Sequence, residues 1–76
     1  MKVFVFQKLQ VEDLSFTNKS VHRFVQDAII AAKNEYTDLS GRCLVSITET
    51  SERDFPYLVV SNRDNRIVGR IIRRDI

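Results

Sequence analysis

The first part of the chain alternates in a way that predicts a central β-strand. Over residues 2–9 the two valines point to one side of an extended chain and the two phenylalanines to the other, because side chains alternate with a period of two. Both faces are therefore apolar, which indicates a strand covered on both sides. Residues 10–19 are a polar connection with Leu14 and Phe16 as isolated apolar residues, and this stretch has room for a short extra strand.

A helical stripe follows over residues 20–39. Ser20 is placed to cap its first turn, and Gly41 is placed to end it in a left-handed conformation. Ile30 lies off the stripe, so we expect it to be exposed or part of a contact surface. Apolar residues recur at the spacing of one helical face at Val21, Phe24, Val25, Ala28, Ile29, Ala32, Tyr36 and Leu39. We expect the following residues to meet in the core: Phe24, Ala28 and Ala32 from the helix, and Val5, Val45 and Ile47 from the sheet.

The second half of the chain predicts three more strands. Residues 42–50 alternate apolar and polar positions, Pro56 precedes a strand over residues 57–60, and residues 61–65 supply turn chemistry before a final strand. The predicted order is β-α-β-β-β. One helix then covers one face of a mostly antiparallel four-stranded sheet, in a single α+β domain over residues 1–76.

Length, charge and cysteine content set limits on the function. The chain has 76 residues and a net charge of +2, which is too small to drive tight nonspecific binding to nucleic acid. Cys43 is the only cysteine, so no internal disulfide forms and a cytoplasmic, reducing compartment is expected. No apolar run approaches the roughly 20 residues of a membrane span, so we expect no membrane partner.

The residue types that catalysis needs are scarce. His22 is the only histidine and is expected on the exposed surface of the helix, and Cys43 is expected to be a small core residue. Gly41 and Gly69 are the only glycines, so there is no glycine-rich phosphate loop. A structural zinc site needs about four ligands. We therefore predict a non-enzymatic protein without catalytic residues, cofactor or metal.

Residues 55–76 resemble the strand–turn–strand of a CBS domain, a family that binds adenine nucleotides. The resemblance implies that Asp75 is the carboxylate that contacts the ribose. The family carries a Ser or Thr shortly before that aspartate, where this chain has Ile72. A strand also stands before Pro56 where the family has a helix. We interpret the likeness as convergent hairpin chemistry.

An arginine-rich stripe is the main candidate for a working surface. Residues 51–76 hold six arginines and four acids, whereas basic and acidic residues balance over residues 1–50. A bulge at Gly69 would bring Arg73 into the stripe in place of Arg74. Strand alternation predicts one partner-binding face, with Arg63 at its start, formed by Arg66, Val68, Arg70, Ile72 and Arg74.

We predict that this stripe binds a protein with an acidic surface, because arginine pairs well with carboxylates and is enriched at interfaces. In size and architecture the chain is similar to the small inhibitors that bacteriophages make against host machinery, anti-CRISPR proteins among them. Two alternatives stay open. The stripe could bind RNA or DNA, although no aromatic residue is predicted within it. The chain could also be a subunit of a homodimer or larger homo-oligomer that buries Val68 and Ile72.

Overall fold

A computed structural model describes residues 1–76. It shows a protein built from five antiparallel strands and one helix. In the sheet the strands lie in the order β2-β1-β5-β4-β3, so that β1 and β5 are central. No helix in the structure combines the length and the apolar character needed to cross a membrane. The elements are β1 Lys2–Gln10, β2 Ser15–His22, α1 Val25–Glu35, β3 Val45–Glu49, β4 Tyr57–Ser61 and β5 Ile67–Asp75.

The predicted α+β class with one helix on an antiparallel sheet is confirmed, but the sheet has five strands and not four. The extra strand β2 pairs with β1 through a short hairpin and takes the residues predicted to start the helix. Ser20 is therefore a strand residue and not a helix cap, and His22 ends β2 half-buried. The backbone of β1 explains the difference, since an apolar central strand needs hydrogen-bond partners on both edges.

Small side chains bring the helix close to the sheet. Ala28 and Ala32 are completely buried, and Ala32 packs in one cluster with Phe6, Val45 and Val59. Alanine presents no long side chain, so the two layers approach closely and the larger sheet residues fill the space. The Phe6 and Tyr36 rings also meet edge to face, with centroids 6.4 Å apart.

Two of the predicted core contacts are wrong. Phe24 is 66% exposed, because it precedes the first helical residue and occupies the N-cap position. Val5 points away from the helix, on the face opposite to that of Phe6. Other predictions are confirmed. Ile30 is exposed, and the following residues lie on the helix side: Ala28, Ala32, Val45 and Ile47.

The helix ends earlier than Gly41. Tyr36 is its C-cap residue, and Gly41 adopts the predicted left-handed conformation, with φ of +85°, in a separate turn. Asp38 closes that turn by accepting hydrogen bonds from the Ser40 hydroxyl and from the Ser40 and Arg42 backbone N–H groups. The hydrogen bond from the Ser40 hydroxyl is the main reason why the pKa of Asp38 lies below its usual value.

Candidate partner-binding face

Cross-strand pairing divides the sheet into a helix-side face and a helix-free face. Directly paired residues share a face, and successive residues alternate between faces. Phe6 pairs with Ile71 on the helix side, so the next pair, Gln7 with Arg70, lies on the helix-free side. The helix-free face consists of Val3, Val5, Gln7 and Leu9 on β1; Phe16, Asn18 and Val21 on β2; Ser46 and Thr48 on β3; Leu58 and Val60 on β4; and Ile67, Arg70, Ile72 and Arg74 on β5.

A bulge in β5 changes the predicted stripe. Val59 pairs with Gly69 and Val60 pairs with Ile67, which leaves Val68 as the extra residue. Val68 consequently packs on the helix side against the core cluster, and its carbonyl accepts a 2.9 Å hydrogen bond from the Tyr36 hydroxyl. The prediction that Val68 shares a face with the arginines is wrong.

Burial keeps the Tyr36 hydroxyl protonated at this bulge. Removal from solvent, and secondarily the negative charge of Glu35, raises the pKa of Tyr36 to about 12. Tyr36 is therefore a neutral donor to Val68 at any ordinary pH. This hydrogen bond links the end of the helix to the segment of β5 that directly precedes Gly69 and Arg70.

Arg70 lies at one end of a hydrogen-bonded row that crosses three strands. Its Nε donates to Oε1 of Gln7 at 2.6 Å, and Nε2 of Gln7 donates to Oδ1 of Asn18 at 2.7 Å. Gln7 is only 5% exposed, and both ends of its amide are bonded. Buried amides keep one orientation when their hydrogen bonds are satisfied, so this row holds the Arg70 side chain in place.

Phe16 supports the same guanidinium from a second direction. The Arg70 Cζ atom lies 3.9 Å from the centroid of the Phe16 ring, as in a stacked cation–π contact. With Nε bonded to Gln7 and the plane stacked on Phe16, the Nη edge is the part of Arg70 that has no hydrogen bond within the protein. Arginine binds carboxylates and phosphates with two parallel N–H groups, and that edge provides such a pair.

The structure separates the six residues that the sequence predicted as a site. Arg70, Ile72 and Arg74 share the helix-free face. Arg66 lies in the β4–β5 turn, where its Nε is 3.8 Å from an Asp64 oxygen and its side chain is 83% exposed. Arg63 lies in the same turn. Together with Arg42 it lines a cleft of about 440 Å³. The expectation that Arg63 and Arg66 join a single stripe is therefore wrong.

Arg73, the alternative member of the stripe, points to the helix side opposite Phe4. Its Nε is buried and has no hydrogen-bond partner. The bulge in β5 lies at Val68, before Gly69, so the alternation from Gly69 onward is undisturbed and Arg74 stays on the face of Arg70.

Three residues of the site escaped the sequence analysis. Phe16 and Asn18 belong to β2, which spans Ser15–His22, whereas the sequence left room only for a short strand within residues 10–19. Gln7 looked like the polar end of the first strand, whereas it lies in the middle of β1. A polar residue between apolar positions on a central strand was the one signal that could have indicated a buried hydrogen-bonded position.

Two further features are a histidine contact and a cleft at the end of the sheet. His22 Nε2 lies 2.7 Å from the Ser20 hydroxyl, and no carboxylate bonds to its ring. No three His, Cys, Asp or Glu side chains lie close enough together to hold a metal ion. A shallow cleft of about 390 Å³ at the end of the sheet is lined mostly by apolar side chains, among them Leu9, Leu14 and Ile67.

The chain matches no protein-family model, no curated protein and no solved structure. The likeness of residues 55–76 to the hairpin of a CBS domain thus stays a resemblance of that segment. In the structure Asp75 lies at the end of β5, paired with Lys2 on the helix-side face.

Proposed function

We propose that this protein is a non-enzymatic binding module that holds an acidic protein partner on its helix-free face. Arg70 is the centre of the contact, Arg74 adds a second positive charge, and half-buried Ile72 and Leu58 supply apolar area beside it. A module of this size would act by covering a surface of its partner, in the manner of small phage inhibitors of host machinery.

The distribution of charge is the observation that carries this proposal. Arg70 and Arg74 lie on the helix-free face, and no strand residue of that face is acidic. Glu49 and Asp75 are the only acids within strands, and their pairing with Tyr57 and Lys2 places both on the helix side. A face with positive charge and no internal counter-charge attracts an acidic partner and disfavours a basic one.

Nucleic-acid binding is the second candidate. The sequence predicted no aromatic residue beside the arginines, whereas the structure places Phe16 against Arg70, which favours this candidate. Proteins that bind single strands use aromatic rings and arginine planes as platforms for bases. On the helix-free face, however, Phe16 is the only aromatic residue, and Arg70 already covers one face of its ring. Two arginines provide too few phosphate contacts for tight binding.

Self-association is the third candidate, because half-buried apolar residues accompany the arginines. A homodimer whose two-fold axis passes through the centre of this face would bring Arg70 of one copy near Arg70 of the other. Like charges at an interface are unfavourable. Sedimentation at two protein concentrations distinguishes this candidate, since only self-association changes the apparent mass with concentration.

Charge reversal on the two sides of the molecule tests the proposal. A partner is first captured from the native host and purified, and its affinity is then measured for the wild type, Arg70→Glu and Lys33→Glu. Lys33 is exposed on the helix and forms no ion pair, so its variant is the matched control. We expect Arg70→Glu to weaken binding at least about a hundredfold, as hot-spot arginines do, and Lys33→Glu to leave it within about twofold.

Thermal unfolding of both variants confirms that the fold survives. Equal affinity of the two variants for the partner would contradict the proposal and direct attention to the helix or to the clefts. A steep loss of affinity with salt for a nucleic-acid ligand would instead establish the second candidate.

A further inference from the structure

We infer that Arg70 binds one side-chain carboxylate of the partner, carried on a segment whose adjacent residues are apolar. The inference rests on the proposed function and goes further, because it names the chemical group that the helix-free face recognises and the atoms that recognise it. It also assigns Gln7 as a positioning residue that acts through Arg70.

The hydrogen bonds of Arg70 determine how a ligand approaches. Nε is occupied by Oε1 of Gln7 at 2.6 Å, so the side-on approach that uses Nε and one Nη is blocked. The two Nη groups have no hydrogen bond within the protein and are left for an end-on, bidentate contact. A carboxylate matches this pair of parallel N–H groups in both spacing and planarity.

Preorganisation is the second step of the inference. An arginine side chain loses much rotamer freedom when it binds a ligand, and this loss opposes affinity. Here the loss has already occurred, because Gln7 fixes Nε and the Phe16 ring fixes the guanidinium plane. Gln7 is in turn anchored by Asn18 and is almost completely buried.

The absence of an internal partner is the third step. The protein has two ion pairs, Lys8 with Glu35 and Arg66 with Asp64, and neither involves Arg70. An arginine that is held rigidly, half-buried and yet not neutralised has its strongest interaction still available. A carboxylate from outside the chain supplies that interaction.

The neighbours of Arg70 indicate what surrounds the carboxylate. Leu58 lies beside Arg70 on β4, and Ile72 follows it on the same face of β5. Both are half-buried apolar side chains and would contact apolar residues of the partner. A face with Arg70 and Arg74 as its only strand cations fits a carboxylate better than a phosphate backbone, which needs a row of cations.

Two capped seven-residue peptides test the inference without the natural partner. Both alternate valine and threonine; one carries a central glutamate and the other a central glutamine. The Nε–H signal of Arg70 in ¹⁵N NMR spectra reports on binding. We expect the glutamate peptide to shift this signal in a saturable way and the glutamine peptide to leave it in place.

Three variants identify the atoms. Arg70→Lys keeps the charge but loses the fork, and Gln7→Met keeps Arg70 but removes its anchor. We expect the glutamate peptide to bind at least about tenfold more weakly to each, a loss near 1.4 kcal/mol. Arg66→Lys, in the exposed β4–β5 turn outside this face, is the control and is expected to stay within about twofold. Arg70→Lys has no Nε–H group at position 70. Backbone amide shifts therefore report binding in all three variants, and they also show that each variant is folded.

Several results would overturn the inference. Equal affinity of Arg70→Lys and wild type would reduce the site to simple charge attraction, and an unchanged Gln7→Met would remove the positioning role. A larger Nε–H shift with inorganic phosphate or a single-stranded oligonucleotide would assign a phosphate ligand. If the peptide fails while Arg70→Glu still abolishes partner binding, only the carboxylate inference fails. If the peptide binds but Arg70→Glu and Lys33→Glu hold the partner equally, the proposed function fails.

Discussion

The two faces of the sheet use the same strands for different purposes. Of the ten buried residues, only Val3, Val5 and Gln7 lie on the helix-free face, and the other seven belong to the helix-side layer. On the helix side, Phe6, Val59 and Ile71 are almost completely enclosed. Because tight apolar packing supplies most of the stability of a small domain, the helix side carries the fold.

Charges follow the same division. On the helix side Lys8 lies 3.2 Å from Glu35, whereas the Nε of Arg73 is buried without a hydrogen-bond partner. On the helix-free side, Arg70 is bonded to neutral Gln7 and stacked on Phe16, and no acid lies on the face. The acids within strands therefore lie on the helix side alone, and the two arginines of the helix-free face have no acidic strand residue beside them. This difference supports the proposed partner-binding face more directly than the number of arginines does.

Truncation of a helix-side aromatic residue is expected to have the largest effect. Phe6→Ala should lower the free energy of unfolding by roughly 3–5 kcal/mol, because Phe6 is 1% exposed and its removal leaves a cavity. Phe16→Ala is the matched change on the helix-free face and should cost about 1 kcal/mol, mostly through the lost stack on Arg70. Urea unfolding measures both. Equal losses would show that the two faces are packed alike.

Gly69 packs against Phe6 of the helix side and the backbone of Gln7, whose side chain holds Arg70 on the helix-free side. Its substitution is expected to have the next largest effect on stability. A Cβ at this position would lie 2.7 Å from the backbone oxygen of Gln7 and 3.2 Å from the Phe6 ring. The backbone oxygen belongs to a central strand and cannot move freely. Gly69→Ala should therefore destabilise the protein by up to about 3 kcal/mol and disturb the row that holds Arg70.

Gly41 is the matched control for that prediction. Its φ of +85° strains most residues with a side chain and asparagine least, and a Cβ there meets no atom within 4 Å. Asparagine tolerates left-handed backbone, so Gly41→Asn should be nearly neutral. Gly69→Asn should stay as harmful as Gly69→Ala, since its difficulty is steric. A rescue of Gly69 by asparagine would mean that the close approach to Gln7 is relieved by a small backbone shift.

The sequence predicted the fold class and most of the helix-side layer because both depend on simple periodicity. The spacing of Ala28 and Ala32 fits only a helix, and that of Val45 and Ile47 fits only a strand. The structure places all four residues as expected. The hairpin of the last two strands was also predicted, since asparagine and aspartate between apolar runs specify a turn.

The start of the helix could not be predicted from local periodicity. Val21 and Phe24 fit a helical stripe extended backward from Val25, yet Val21 pairs with Val5 in the sheet. The edge of β1 offers hydrogen bonds to this segment, and that competition is a tertiary effect invisible in a short window.

The candidate site was half predictable. Arg70, Ile72 and Arg74 follow from alternation in β5, but the bulge that moves Val68 to the helix side depends on the pairing of β5 with β4. Phe16, Gln7 and Asn18 come from distant parts of the chain, and only the sheet register brings them to Arg70. The register is set by the whole sheet, so no local pattern indicates these partners.

The smallest predicted effect concerns the boundary of the helix-side layer at Phe24. This residue has the extended backbone of an N-cap, with φ −117° and ψ 139°, but its side chain makes no capping hydrogen bond. Serine at that position would accept from the free N–H groups of the first turn, so Phe24→Ser should stabilise the protein by about 0.5–1 kcal/mol. Phe24→Ala removes the same exposed ring without adding a cap and should change stability by less than about 0.5 kcal/mol. Urea unfolding of the two variants separates capping from packing. A loss of several kcal/mol in both would show that the Phe24 ring contributes to the core after all and that the helix-side layer extends beyond Val25.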